Sequence, residues 1–321
     1  MPHSARVRGS DPLSDVLDTL NLRGSVLLRA EAGTPWAISF PKGDGRFHVV
    51  ERGELVATVS GTRKPIRALA GDMLVFPQGS HTIADRPGRR AVELEVAVEE
   101  GWDAEARVLR VGAGRPDTRM ICGAFRIDPL GRGALLSVLP TVLHFQGRSG
   151  RPSGHLDLVM RILLAEAHET SPGSALCAAR LVDVILVYAI RDWLAKEPAE
   201  VGGWLGAMRD PHVGAALSKL HDDPGYPWTV EHLSGRVGLS RSPLAARFTA
   251  LVGEPPLRYL TRWRMHLASR LLRHGTSVHE AAERVGYGSG AAFSRTFKRY
   301  MGTAPMKYRQ AEPHLVSGAP T

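Results

Sequence analysis

Nine residues in the last third of the chain have the types and spacing needed to read nucleic acid: Arg241, Ser242, Ala245 and Ala246 in one group, and Ser289, Ala291, Ser294, Arg295 and Lys298 in another. Guanidinium and hydroxyl groups bond base edges and phosphates, and small methyl groups approach thymine methyls. A helix carrying them must also be slim enough to enter a major groove. In both groups an aromatic or aliphatic pair at i, i+4 fixes which way the helix faces. Leu244 and Phe248 turn the first group outward together with Thr249, and Phe293 and Phe297 do the same for the second.

The elements that must position these groups are legible around them. Val230, Leu233, Val237 and Leu239 recur at helical spacing before Ser240 and the first reader helix. The stretch SVHEAAERVGYGSG repeats that plan before the second, with a turn at residues 286–289. Residues 228–309 thus read as two helix-turn-helix units. Pro256–Arg273 forms one longer helix between them, with Tyr259, Leu260, Trp263, Leu267, Leu271 and Leu272 on its apolar stripe. Such a helix is about 26 Å long at about 1.5 Å per residue, enough to hold two readers near successive major-groove segments about 34 Å apart.

Charge points the same way. Residues 226–310 hold 14 Lys plus Arg against four Glu, a net of +10, whereas the whole chain carries +9, leaving −1 for the rest. A basic excess confined to one small domain is the footprint of phosphate contact.

SRSPLAARFTALVGEPPLRYLTRWRMHLASRLL followed by VGYGSGAAFSRTFKRYMGTAP resembles the DNA-binding domain of AraC/XylS-type transcriptional regulators. The resemblance covers about the last third of the chain. It implies that outward residues of the two reader helices contact promoter DNA, with Arg295 in the more strongly patterned second unit. It further implies a regulator of promoter activity that works through RNA polymerase where it acts as an activator.

The N-terminal half has a different pattern. Residues 11–22 read as a short amphipathic helix. From about residue 24 to 128, short strands alternate with Gly and Pro turns, among them FHVVERGELVATVSG, RALAGDMLVFPQGSH, AVELEVAVEE and RMICGAFRID, with no helical segment expected between them. Two segments resemble cupin motifs: His48, Glu54 and Gly61 in the first, with Val50 where a second histidine would stand, and Gly71, Pro77, Gly79 and His81 in the second. A metal at His48, Glu54 and His81 would need imidazoles and a carboxylate converging on one ion. The other reading, which is preferred, has Gly71-Asp72 and Pro77 to Gly79 as turns flanking a buried strand, with no cofactor and with hydrogen-bonded core histidines. Either way a barrel mouth lined by His48, Glu54 and His81 is a reasonable small-molecule site.

Cys122 reads first as a small buried hydrophobe. As a thiolate favoured by Arg119, Arg126 or a barrel histidine it could report oxidants. The N-terminal half is similar to the AraC-type subgroup that includes sensors of reactive chlorine. Those sensors resemble this chain around Cys122 but have a further cysteine near the start of the barrel, where this chain has Ser25 or its neighbours.

Helices are expected at residues 155–169 and 174–195, the second apolar nearly all round, which calls for burial on two sides. One side can be its own barrel and the other a partner subunit, and resemblance to dimeric family members favours a homodimer.

The expected architecture is α+β: a cupin-like barrel or jelly roll with helices at residues 10–195, a linker at 196–209, an all-α domain with two helix-turn-helix units at 210–310, and a disordered tail at 311–321. Two cysteines are too few for a disulfide framework or a cysteine-rich repair site, and no apolar run of about 18 residues appears. A cytoplasmic transcription factor that senses a small molecule or an oxidant is therefore expected, with no membrane partner. The rival is a metal-dependent cupin enzyme fused to a DNA-binding module.

Overall fold

The computed structural model describes residues 23–61, 64–126, 139–147, 154–169, 171–196 and 206–310. The helix expected at 11–22, most of the linker and the tail at 311–321 lie outside them. The described residues form two compact units, one within residues 23–196 and one within 206–310.

The N-terminal unit is a sandwich of two sheets. Its strands are β1 (Arg23–Ala32), β2 (Ala37–Phe40), β3 (Gly45–Arg52), β4 (Glu54–Val59), β5 (Ile66–Leu69), β6 (Met73–Phe76), β7 (His81–Ala84), β8 (Val92–Glu93), β9 (Trp102–Asp103), β10 (Val108–Val111), β11 (Thr118–Arg126) and β12 (Leu143–Phe145). One sheet has the order β12-β6-β3-β11-β1-β10-β9 and the other β5-β4-β7-β2-β8. Alternation places Leu28, Ala30 and Ala32 of β1, and Leu55, Ala57 and Val59 of β4, in one core between the sheets. The odd residues Phe47 and Val49 of β3 and Met73 and Val75 of β6 are buried as well, so the larger sheet is covered on both faces. Gly53 turns β3 into β4 with φ +77°, and a Cβ there would stand 2.4 Å from the carbonyl oxygen of Asp117.

One expected strand is in large part a helix. AVELEVAVEE gives only the two residues of β8 and then α1 (Leu94–Gly101). Leu94 and Ala97 are buried, and Val98 packs against the core beside them. The i, i+3, i+4 pattern thus overrides an alternation that the same letters also satisfy.

Two helices, α2 (Gly154–His168) and α3 (Ser174–Lys196), follow the strands, in agreement with the sequence. Asp183 of α3 accepts a 2.6 Å hydrogen bond from the Gly24 backbone N–H, and a Cβ at Gly24 would collide with Val182. This close approach docks α3 on β1.

The C-terminal unit is helical: α4 (Pro211–Asp222), α5 (Val230–Val237), α6 (Arg241–Val252), α7 (Pro256–Arg273), α8 (Val278–Arg284), α9 (Gly290–Met301) and α10 (Pro305–Gln310). Caps set their limits. Asp210, Thr229, Ser277 and Ser289 accept N-terminal N–H groups of α4, α5, α8 and α9, and left-handed Gly238, Gly253 and Gly302 end α5, α6 and α9. The two halves of α7 serve different cores. Tyr259 meets Phe248 edge-on, whereas Met265, Ala268 and Leu272 join Ala281, Ala282, Val285, Phe293 and Phe297.

Candidate nucleic-acid interface and sensor core

Each candidate reader helix is oriented by its buried pair. In α6, Leu244 and Phe248 are fully buried, which exposes Arg241, Ser242, Ala246 and Thr249 and leaves Ala245 half-buried. In α9, Phe293 and Phe297 are fully buried, Ala291, Arg295 and Lys298 are exposed and Ser294 is half-buried. Ser289 has a structural task as well, accepting from the Ala292 N–H at 3.4 Å as the cap of α9. The Thr249 hydroxyl donates 2.8 Å back to the Ala245 carbonyl.

Ion pairing separates structural cations from available ones. Arg247 pairs with Asp210, which caps α4, so it ties α6 to α4. Glu254 holds Arg258 and Arg262, and Glu280 holds Arg284. Arg241, Arg295 and Lys298 make no ion pair among the described residues, so their charge stays open to a polyanion. With 18 residues, α7 spans about 27 Å between the two units.

In the N-terminal unit the structure brings together three of the four residues singled out by sequence. His48 on β3 and Cys122 on β11 are register partners, with Nδ1 and Sγ 3.0 Å apart. His48 Nε2 lies 2.9 Å from Nε2 of His81, which belongs to the opposite sheet. The His81 ring is stacked between Phe40 and Phe76, with centroids 4.8 and 3.8 Å away. All three polar groups are buried. Burial, reinforced by the Arg46 charge, pushes the His81 pKa down to about 3, and burial with the His81 and Arg46 charges also lowers that of His48. Burial raises the Cys122 thiol to about 12 against a smaller opposing effect of Arg46. Two neutral imidazoles and a neutral thiol therefore link the sheets.

Glu54 does not join them. It opens β4, five residues from Val59, the register partner of His81, which is about 16 Å along a strand. Its carboxylate pairs instead with exposed Arg67. A metal at His48, Glu54 and His81 does not fit this geometry. Among the described residues no group of three or more His, Cys, Asp or Glu side chains is arranged to hold an ion. His48 and His81, expected at a barrel mouth, are instead buried against Phe40 and Phe76. Gly71-Asp72 and residues 77–79 are indeed the turns on either side of the wholly buried β6. The arginines expected to favour a Cys122 thiolate are engaged elsewhere, Arg119 with Glu31 and Arg126 with Asp44.

A cleft of about 520 Å³ opens on another side of the sandwich, lined among others by Trp36, Ile38, Arg89, Val92, Ala97 and Arg110. Sequence reasoning missed it because its wall, α1, reads as a strand.

A cupin family model matches residues 11–195 and a helix-turn-helix domain model matches 233–311. A protein described as an AraC-like transcription regulator of Streptomyces antibioticus is 38% identical over 311 residues, covering 94% of this chain and 98% of that one. The chain belongs to the AraC-type family of transcriptional regulators. This AraC-type regulator is also similar to AlkR of Acinetobacter baylyi, 28% identical over 94% of this chain and 99% of that one. The RCS-specific activator RclR of Escherichia coli is 30% identical over 60% of this chain and 68% of its own length. As in the family, a cupin-like domain precedes the DNA-binding domain of a sequence-specific transcription regulator. No helix among the described residues is long and apolar enough to cross a membrane.

Proposed function

We propose that this AraC-type regulator is a cytoplasmic, non-enzymatic homodimer that places α6 and α9 in successive major-groove segments of promoter DNA and answers to a small-molecule effector. Arg241, Ser242, Ala245, Ala246, Ala291, Ser294, Arg295 and Lys298 make the DNA contacts, with Ser289 fixing the start of α9. The observation that carries this reading is the pairing of buried Phe293 and Phe297 with an opposite face on which Arg295 and Lys298 have no ion-pair partner among the described residues. Two such helices on one rigid spacer suit adjacent groove segments.

For the effector we assign the cleft beside Trp36 and α1, whose volume falls within the ordinary range of ligand pockets, about 300–1,000 Å³. The His48, His81 and Cys122 core is less suited to sensing, since an oxidant would have to reach a buried and protonated thiol. Dimerisation is supported by Leu158 and Ile162 on α2 and Leu176 and Val184 on α3, large apolar side chains left exposed on helices that otherwise cover the sandwich. Promoter occupancy then sets access of RNA polymerase.

Hydroxyl-radical footprinting on the chain's own upstream DNA tests the reading. Protection should fall on two segments about one helical turn apart per protomer. A single short protected segment would mean that only one helix reads DNA.

A further inference from the structure

The two reader units touch each other directly, apart from the helix that joins them. The loop between α4 and α5 carries Pro224, Gly225 and Tyr226 of the first unit, and it lies against the end of α8 and the turn of the second. A Cβ on Gly286, whose φ is +80°, would stand 2.4 Å from the Gly225 carbonyl oxygen, and one on Gly225 would stand 3.3 Å from that of Arg284. Gly286 therefore cannot carry a side chain here, and one on Gly225 would be tight.

Arg264 of α7 pins the same junction. Its Nε donates to the Pro224 carbonyl at 2.6 Å and its terminal nitrogen to the Tyr226 carbonyl at 2.8 Å, while its guanidinium sits 5.9 Å from the ring centroid of Tyr287 in the second turn. The planar fork thus holds two carbonyls of one unit and an aromatic face of the other. A lysine cannot reproduce that geometry. The loop it grips is stiff, with prolines at 224 and 227, and the Trp228 indole donates 2.9 Å to the Asp223 carbonyl.

We propose that Arg264, acting with the Gly225 and Gly286 contact, is a positioning residue for DNA recognition. It fixes the angle between α6 and α9, so that the domain accepts a single spacing between its two half-sites. A helix held only at its ends would twist and bend, whereas a second point of attachment removes that freedom. One inserted base pair displaces a half-site by about 3.4 Å and rotates it by about 35°, a change that a clamped pair of readers cannot follow. The inference rests on the reading that α6 and α9 both enter the groove.

The test uses the full chain and duplexes carrying its footprinted promoter site, unaltered or with one base pair inserted or deleted between the protected segments. The wild type should lose about tenfold or more in affinity on either change. Arg264→Met should bind the unaltered site several-fold more weakly yet change less than about threefold on insertion or deletion, and Arg264→Lys should fall between. A merely structural role would weaken all three duplexes alike. If Arg264→Met keeps the wild-type discrimination among spacings, the proposal is overturned. A measurement without DNA guards against misfolding and against failure of the groove reading. Spin labels at positions 250 and 299, with both native cysteines replaced by serine, should give one narrow distance distribution in the wild type. In Arg264→Lys it should broaden, and an unchanged width there would equally overturn the clamp.

Discussion

His48 and His81 face each other across the two sheets of the N-terminal sandwich with their Nε2 atoms 2.9 Å apart. One nitrogen must donate and the other accept, so the pair holds together only while at least one ring is neutral. Both rings are buried, and burial drives both pKa values down, that of His81 to about 3.

This gives a pH dependence with a definite sign. In the unfolded chain both histidines titrate near 6.5, so between that value and the lowered folded values the unfolded state binds more protons. Stability of the sandwich is complete above pH 6.5 and falls as the pH drops below it, by up to about 1.4 kcal/mol per histidine per pH unit. Calorimetry from pH 7.5 to 4.5 should show the sandwich transition moving down while His81→Phe flattens the slope. An identical slope in that variant would mean that His81 is not held neutral.

Thiol chemistry separates the two cysteines. Cys122 is buried beside His48 with its thiol pushed up to about 12, while Cys177 is exposed on α3. Titration of the native chain with a chromogenic disulfide reagent should release one equivalent quickly and the second only in denaturant, and Cys177→Ser should abolish the fast phase. Fast labelling of Cys122 in the native state would reopen the oxidant reading.

Asp210 caps α4 by accepting from the His212 and Val213 N–H groups at 3.1 and 2.9 Å, and it also holds Arg247 of α6. Asp210→Ala should destabilise the C-terminal unit by about 1 to 2 kcal/mol, mostly through the lost cap, since the arginine partner is half exposed. Chemical denaturation measures this. A loss below a few tenths of a kcal/mol would show that the cap contributes little.

The exposed apolar residues of α2 and α3 test the proposed dimer. Ile162→Glu combined with Leu176→Glu should shift sedimentation from dimer to monomer without changing the circular dichroism, because neither side chain is part of the protomer core. A dimer that survives both changes uses another surface.

Sequence legibility followed periodicity. The helices of the C-terminal unit could be placed because pairs such as Leu244 and Phe248, or Phe293 and Phe297, leave one solution for the buried face. The sandwich was legible as a class, and the burial of Cys122 and of hydrogen-bonded His48 and His81 agrees with reading the first as a small hydrophobe and the others as core histidines. Distance along a strand was not legible. Glu54 looks adjacent to His48 by motif, yet it sits at the far end of β4 from His81. The helix α1 escaped because LEVAVEE satisfies both periods, and only the seating of Leu94 and Ala97 in the core decides between them. Arg264 left no signal, being a cation on the polar side of an amphipathic helix whose partners are backbone carbonyls about 40 residues away.

The most direct test is the affinity of the full chain for its footprinted promoter duplex and for a scrambled duplex, comparing wild type with Arg295→Ala. Loss of about 1 to 3 kcal/mol on the promoter duplex, with little change on the scrambled one, is expected of a residue that reads bases from α9. Equal affinity of the two proteins for the promoter duplex would contradict the assignment of α9 as a reader helix.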